Sequence, residues 1–152
     1  MIEIILESKN KSQICRQILE NLTDWFEDES ARENYISSCS NLPFFVCRKN
    51  NEYIGFICLK PTSPYAIELY VMGVIKKEQR DGIGSQLFSF ALSYAKEKGY
   101  KFIHVKTVKY GVYPEYDITN NFYKKLGFLE LEILKDLWDE NNPCQLYIMD
   151  IK

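Results

Sequence analysis

Glu68 is the one charged residue in an otherwise apolar run, residues 66–75. A carboxylate in such a run is an acid–base candidate, because burial raises its pKa toward neutrality. Eleven positions later the chain reads Gln79-Arg80-Asp81-Gly82-Ile83-Gly84-Ser85. Glycines at 82 and 84 lack a Cβ, so the backbone there can curl tightly and approach a ligand closely. A helical pattern follows. The N–H groups of a first helical turn have no intrahelical partner, and together with the helix dipole they attract anions. Gln79 and Arg80 add side-chain donors at the rim. A P-loop would need a Lys where the chain has Gly84-Ser85-Gln86, and a dinucleotide fingerprint would need a small residue at Leu87. From the turn alone, a phosphate site and a plain strand-to-helix turn are equally supported.

The elements that must position these residues follow from periodicity. Residues 2–6 form a short apolar run compatible with a strand, and residues 11–22 carry Ile14, Ile18, Leu19 and Leu22 at helical spacing. Residues 29–37 give a weaker helical signal. Residues 44–47 and 53–59 read as strands joined by the polar turn Lys49-Asn50-Asn51-Glu52, a hairpin. Residues 66–75 read as a strand buried on both faces. Residues 85–98 form a long helix ended by Gly99, residues 102–108 a strand, and residues 119–126 a short helix capped by Gly127. Residues 128–134 and 145–151 close the chain as strands. The order mixes hairpins with a strand–helix–strand crossover, so the expected fold is α/β: a mixed sheet with helices on both faces.

With 152 residues, 46% of them apolar and 26% charged, the chain fits a single globular domain spanning residues 1–152. Its net charge of −2 argues against a nucleic-acid binder. Five cysteines without a CxxC pair, and a single His, make a structural metal site improbable, and no metal is expected. Cys47 and Cys58 lie in apolar stretches and read as small buried hydrophobes. The first residues lack the basic region and cleavage site of a signal peptide. No apolar run reaches the roughly 20 residues that span a bilayer. No membrane partner is expected, and a cytoplasmic location is.

Gln79-x-x-Gly82-x-Gly84, after an apolar strand and before an amphipathic helix, resembles the acyl-CoA signature of the GNAT superfamily of N-acetyltransferases. Phe122-Tyr123-Lys124-Lys125-Leu126-Gly127-Phe128 resembles that superfamily's Phe-Tyr-x-x-x-Gly-Phe block. The match is specific from Phe44 to the C-terminus and weak before it. The tail, with Leu137-Trp138 and Asn142-Pro143-Cys144, is similar to a bacterial branch of the family. The resemblance implies the GNAT-like acyl-CoA N-acyltransferase fold and direct transfer of an acetyl group from acetyl-CoA to a primary amine of a small molecule or peptide.

It also implies roles. An amine with a pKa of about 10.4 is mostly charged at neutral pH and needs a base. Some members carry a glutamate eleven residues before the motif Gln, which assigns that role to Glu68. The motif tyrosine often lies beside the CoA sulfur, making Tyr123 the proton donor to the leaving thiolate. Backbone groups of Met72, Gly73 and Val74 would hold the carbonyl and pantetheine arm, with Gly73 at a bulge where the strand splays. Arg80, Asp81, Gly82, Ile83, Gly84 and Ser85 would hold the pyrophosphate, mostly through backbone. One position departs from the pattern. Many relatives carry Asn seven residues before the motif tyrosine, and here Tyr116 stands there; Asn120 and Asn121, one helical turn away, are the candidates to compensate.

For the acceptor, Tyr110, Tyr113, Glu115, Tyr116 and Asp117 combine aromatics with carboxylates, which suits a cationic amine. Trp25, Phe26, Glu27 and Asp28 offer a second wall. His104 reads as structural, and Trp138-Asp139-Glu140 as a surface turn. Pairing of C-terminal strands offers a route to a homodimer. The competing reading is a non-catalytic acyl-CoA-binding sensor, which would need neither Glu68 nor Tyr123.

Overall fold

The computed structural model describes residues 1–151. Strands β2 (Phe44–Lys49) and β3 (Glu52–Pro61) pair antiparallel around Asn50-Asn51. Both asparagines have positive φ, 51° and 67°, which is the geometry of a two-residue turn matched to the right-handed twist of a hairpin. β1 (Ile2–Leu6) pairs with the outer edge of β2, and β4 (Ala66–Val74) with β3. β5 (Phe102–Val108) lies parallel to β4, the one parallel pair. β7 (Asn142–Asp150) and β6 (Leu129–Asp139) complete a seven-stranded mixed sheet of order β1-β2-β3-β4-β5-β7-β6.

The helices divide between the two faces. α1 (Lys11–Asn21) and α2 (Glu29–Ser38) bury Ile14, Ile18, Leu19 and Ile36 against Phe44, Val46, Phe56 and Val71. The carboxylate of Asp28 caps α2, accepting from the N–H groups of Ser30 and Ala31. α3 (Ile83–Glu97) and α4 (Pro114–Leu126) cover the other face, where Leu87, Phe88, Ala91, Ala95 and Tyr123 pack with Ile57, Leu69, Ile103, Val105 and Tyr147. All five cysteines are free thiols buried in these layers. No helix among the described residues is long and apolar enough to cross a membrane.

Expected and observed elements agree in order and type, and they differ at ends. α4 starts at Pro114 rather than 119, because a proline in the first turn gives up an N–H that has no helical partner anyway. β6 runs to Asp139 rather than 134, so Trp138 lies within a strand and only Glu140 and Asn141 make the turn. That turn is braced by Asp139, whose carboxylate accepts from Asn141 N–H at 2.9 Å and Asn142 Nδ2 at 2.8 Å.

Candidate active site

β4 and β5 separate part-way along their length. They pair only over Ala66–Glu68 and Phe102–His104, whereas β4 continues to Val74 and β5 to Val108. Beyond Glu68 the inner edge of β4 has no strand partner, leaving backbone groups of Leu69–Val74 open toward the gap. The expectation of a bulge at Gly73 needs correction. The irregularity lies between Leu69 and Val71, where Cys58 opposes Val71 and Leu59 opposes Leu69, so Tyr70 is the extra residue. Tyr70 and Val71 therefore both face α1 and α2. Gly73 serves packing instead: a Cβ there would lie 2.8 Å from Leu22 Cδ1 and 3.2 Å from Ile18 Cγ2, so its absence lets α1 press onto the sheet.

The turn after β4 is built as an open helix start. Gly82 precedes α3 with φ +80°, in the left-handed region that glycine tolerates. The first intrahelical bond is Gln86 N–H to Gly82 C=O at 3.0 Å. The N–H groups of Ile83, Gly84 and Ser85 come before that bond, and no side chain caps them. Arg80 is exposed and makes no ion pair with any described residue, whereas Lys76, Lys77 and Glu78 are paired with Asp24, Glu52 and Lys49. Gln79 turns inward: its Nε2 donates to Val74 C=O at 2.8 Å and so braces the turn. A Cβ on Gly84 would meet the Phe122 ring at 3.2 Å, so this glycine lets the α4 aromatic close on the first turn of α3.

Tyr123 is buried on α4, with its ring against Phe122, Phe128 and Tyr147 at centroid distances of 5.6–6.0 Å. Its hydroxyl has no hydrogen-bond partner among the described residues, yet it is not sealed, since the only fully enclosed unpartnered side-chain oxygen among them is Thr107 Oγ1. Burial raises the phenol well above the usual tyrosine range, with further contributions from Tyr35, Tyr116 and Tyr147. Burial thus favours the neutral, proton-bearing form of Tyr123.

Glu68 is buried, on the face toward α1 and α2. It is the lone charge of its strand, and the fold gives it a basic partner from β5, with Lys106 Nζ 3.4 Å from its Oε2. Tyr35 on α2 stacks edge-on against Tyr70 at 5.1 Å and against Phe26 at 5.9 Å. Its phenol is pushed up to about 12 by burial, and then by Tyr70, Tyr116 and Glu68. An aromatic wall, Phe26–Tyr35–Tyr70, therefore leads from the segment between α1 and α2 to the neighbourhood of Glu68. Tyr123 belongs to the core on the opposite face of the sheet, packed with Phe128 and Tyr147.

The remaining expected residues separate into two groups. Asn120 is fully buried and wholly engaged within the chain: Nδ2 donates to Val108 C=O at 2.8 Å and Tyr116 C=O at 2.6 Å, and Oδ1 accepts from Tyr147 at 2.6 Å. Both of its N–H donors are used and it has no exposed surface, whereas Asn121 is exposed. Asp117 accepts from Gly111 N–H at 2.7 Å, and Lys124 lies 5.7 Å over the Tyr110 ring, so the segment before α4 is tied to itself. His104 meets Thr62 Oγ1 at 2.9 Å, a structural contact. Two shallow surface depressions, around Ser8–Ser12 and around Leu6, Pro43 and Tyr94, include no residue of the turn or of the Glu68 region.

A sequence profile described as the acetyltransferase (GNAT) family matches residues 11–128. The chain belongs to the GNAT acetyltransferase family. Solved GNAT structures agree with the fold over essentially the whole chain. A protein assigned to this family from Desulfovibrio desulfuricans superposes with a TM-score of 0.85 at 15% identity, covering 100% of both chains. A GNAT acetyltransferase from Elizabethkingia anophelis, solved with acetyl-CoA bound, gives 0.77 at 23% identity over 98% of this chain and 97% of that one. The aminoglycoside 6'-N-acetyltransferase from Enterococcus faecium gives 0.77 at 16% identity over 99% and 97%. No curated protein matches the sequence. Sequence reasoning named the Gln79–Ser85 turn, Glu68 and Tyr123 as candidates. It did not single out Tyr35 and Tyr70, which carry no motif and come together only through packing.

Proposed function

We propose that this protein transfers an acetyl group from acetyl-CoA to a primary amine of a small molecule or peptide. The observation that carries the reading is the open α3 start, where three uncapped N–H groups lie beside an Arg80 that pairs with no described residue, and where Ile83 packs in the same core as Tyr123, next to the gap between β4 and β5. Those donors and that cation fit a pyrophosphate. The unpaired edge of β4 fits an extended amide-containing arm, which would make hydrogen bonds in the manner of an added strand.

Acetyl-CoA supplies an activated thioester carbonyl. The rest of the chemistry falls to the chain. Glu68 accepts a proton from the incoming amine, directly or through one water, so that the nitrogen lone pair is free to attack. A β4 N–H beyond Glu68 stabilises charge on the carbonyl oxygen. As the N–C bond forms and the C–S bond breaks, Tyr123 gives its proton to the departing sulfur. Burial keeps its phenol in the neutral form at neutral pH, so the proton is in place when the sulfur departs.

The test has two stages. Thermal unfolding is followed with and without excess acetyl-CoA in wild type and Gly82→Asp; saturation a hundredfold above Kd should add about 2.7 kcal/mol of stability. A shift in wild type that is lost in the variant supports the cofactor reading, and no shift in wild type overturns it. CoA release is then measured with spermidine, kanamycin A and a lysine-containing peptide. Release that requires an amine, and that falls about 10²-fold or more in Tyr123→Phe, supports the transfer step.

A further inference from the structure

Tyr116 occupies the position where the family resemblance led us to expect Asn, and the structure gives it a different task. Its hydroxyl donates to the backbone carbonyl of Trp25, across 91 positions of sequence. In return Trp25 Nε1–H donates to the carbonyl of Glu115 at 3.0 Å. The next two carbonyls of the same segment are also held by a side chain: Arg32 Nη1 donates to Phe26 at 2.6 Å and to Glu27 at 3.0 Å. Three consecutive carbonyls between α1 and α2 thus accept from side chains rather than facing open water. On the α4 side the bonding continues inward, since the Tyr116 carbonyl accepts from Asn120, and Asn120 accepts from the buried Tyr147 on β7. One connected set of hydrogen bonds runs from the core of the sheet to an otherwise irregular surface segment.

We propose that Trp25 and Tyr116 are positioning residues that clasp the segment between α1 and α2 onto the first turn of α4, and so fix the acceptor wall of the site. The inference rests on the amine-acetyltransferase reading above. Phe26 is the residue after Trp25, and its ring begins the series Phe26–Tyr35–Tyr70, whose last member stands two residues after Glu68 on β4. Holding the Trp25 carbonyl therefore fixes where that wall stands relative to the base. A wall fixed before the acceptor arrives removes an ordering cost from binding. Burial pushes the Tyr116 phenol up to about 12, so the hydroxyl remains a donor throughout the neutral range. The clasp joins the two segments that flank the site on the acceptor side, whereas the phosphate turn lies on α3 and is untouched by it.

The experiment uses the full chain carrying Trp138→Phe, so that Trp25 is the only indole, and compares it with the same chain carrying Tyr116→Phe. Three quantities are read: acrylamide quenching of Trp25, amide hydrogen exchange over residues 23–28, and KM for whichever of spermidine, kanamycin A or lysine peptide turns over fastest. We expect quenching and exchange to rise over that segment but not over β2 and β3. We expect the acceptor KM to rise about fivefold, the size of one ordinary net hydrogen bond, with kcat and the acetyl-CoA-induced thermal shift unchanged. Trp25→Phe, which keeps an aromatic ring and removes the reciprocal bond, should reproduce the KM effect. Unchanged quenching and exchange in Tyr116→Phe would show that no clasp exists. A loosened segment with an unchanged acceptor KM would overturn the positioning role. Absence of any acetyl-CoA shift in the parent chain would instead overturn the underlying reading and is distinguishable from both.

Discussion

Glu68 on β4 and His104 on β5 face each other as the last pair before the two strands part. The proposed base thus sits at the apex of the gap, where a parallel ladder ends and unpaired backbone begins. The same point is fixed from outside by Lys106, two residues after His104 and on the same face of β5. Removing the carboxylate while keeping its shape, as Glu68→Gln, should lower kcat/KM by about 10²-fold or more if Glu68 takes the amine proton. Initial rates across pH, with the acceptor identified as above, check this. A Gln variant with the wild-type rate at pH 7 would remove Glu68 from the mechanism.

Tight packing at Gly73 gives a prediction about stability rather than rate. A Cβ there meets Leu22 Cδ1 at 2.8 Å, and Ile18 and Phe56 close the remaining directions. Gly73→Ala forces α1 outward or Leu22 out of its rotamer, and overpacking of this kind costs about 1–3 kcal/mol. Urea denaturation should show the midpoint fall with little change in slope. A midpoint equal to wild type would mean that α1 has slack the packing does not suggest.

Thr107 leads the other way. Its Oγ1 is enclosed without a hydrogen-bond partner, and leaving such a group unsatisfied costs about 1–3 kcal/mol. Thr107→Val keeps the branched shape and removes the hydroxyl, so the variant should unfold at a higher denaturant concentration. Unchanged or lowered stability would indicate that an ordered water satisfies the hydroxyl.

His104 predicts a pH dependence. Desolvation holds its pKa below the ordinary value of 6.5, partly countered by Glu68 and reinforced by Lys106. In the unfolded chain the imidazole takes up a proton as pH falls through about 6.5, while in the folded chain it stays neutral to a lower pH. The unfolded state therefore binds more protons in that window, and stability is lost as pH falls through it. Denaturation at pH 7.5 and 5.5 should show a larger loss for wild type than for His104→Gln, because the variant has no imidazole to protonate in the unfolded chain. Equal losses would mean that the half-buried ring titrates normally.

Much of this site was legible in the sequence because its signals are local. Gly82 and Gly84 announce a tight turn by lacking a Cβ, and the spacing of Leu87, Ala91 and Ala95 announces the helix that follows. Glu68 stands out as one charge in an apolar run, and Gly127-Phe128 marks the end of the helix that presents Tyr123. These features gave the order of elements, and they named the glycine turn and the two residues proposed for proton transfer.

Only the tertiary structure decided how far β4 and β5 stay paired, because pairing length depends on two strands separated by a helix. It moved the bulge from Gly73 to Tyr70, since register is set by β3 across the hairpin rather than by the glycine itself. It supplied Lys106 as the partner of Glu68, committed Asn120 to internal bonds, and joined Trp25 to Tyr116 across 91 positions. None of these relations has a short-range signature. Each arises when burial of the two helical layers brings distant polar groups together, and each buried polar group must then find whatever partner the packing has put beside it.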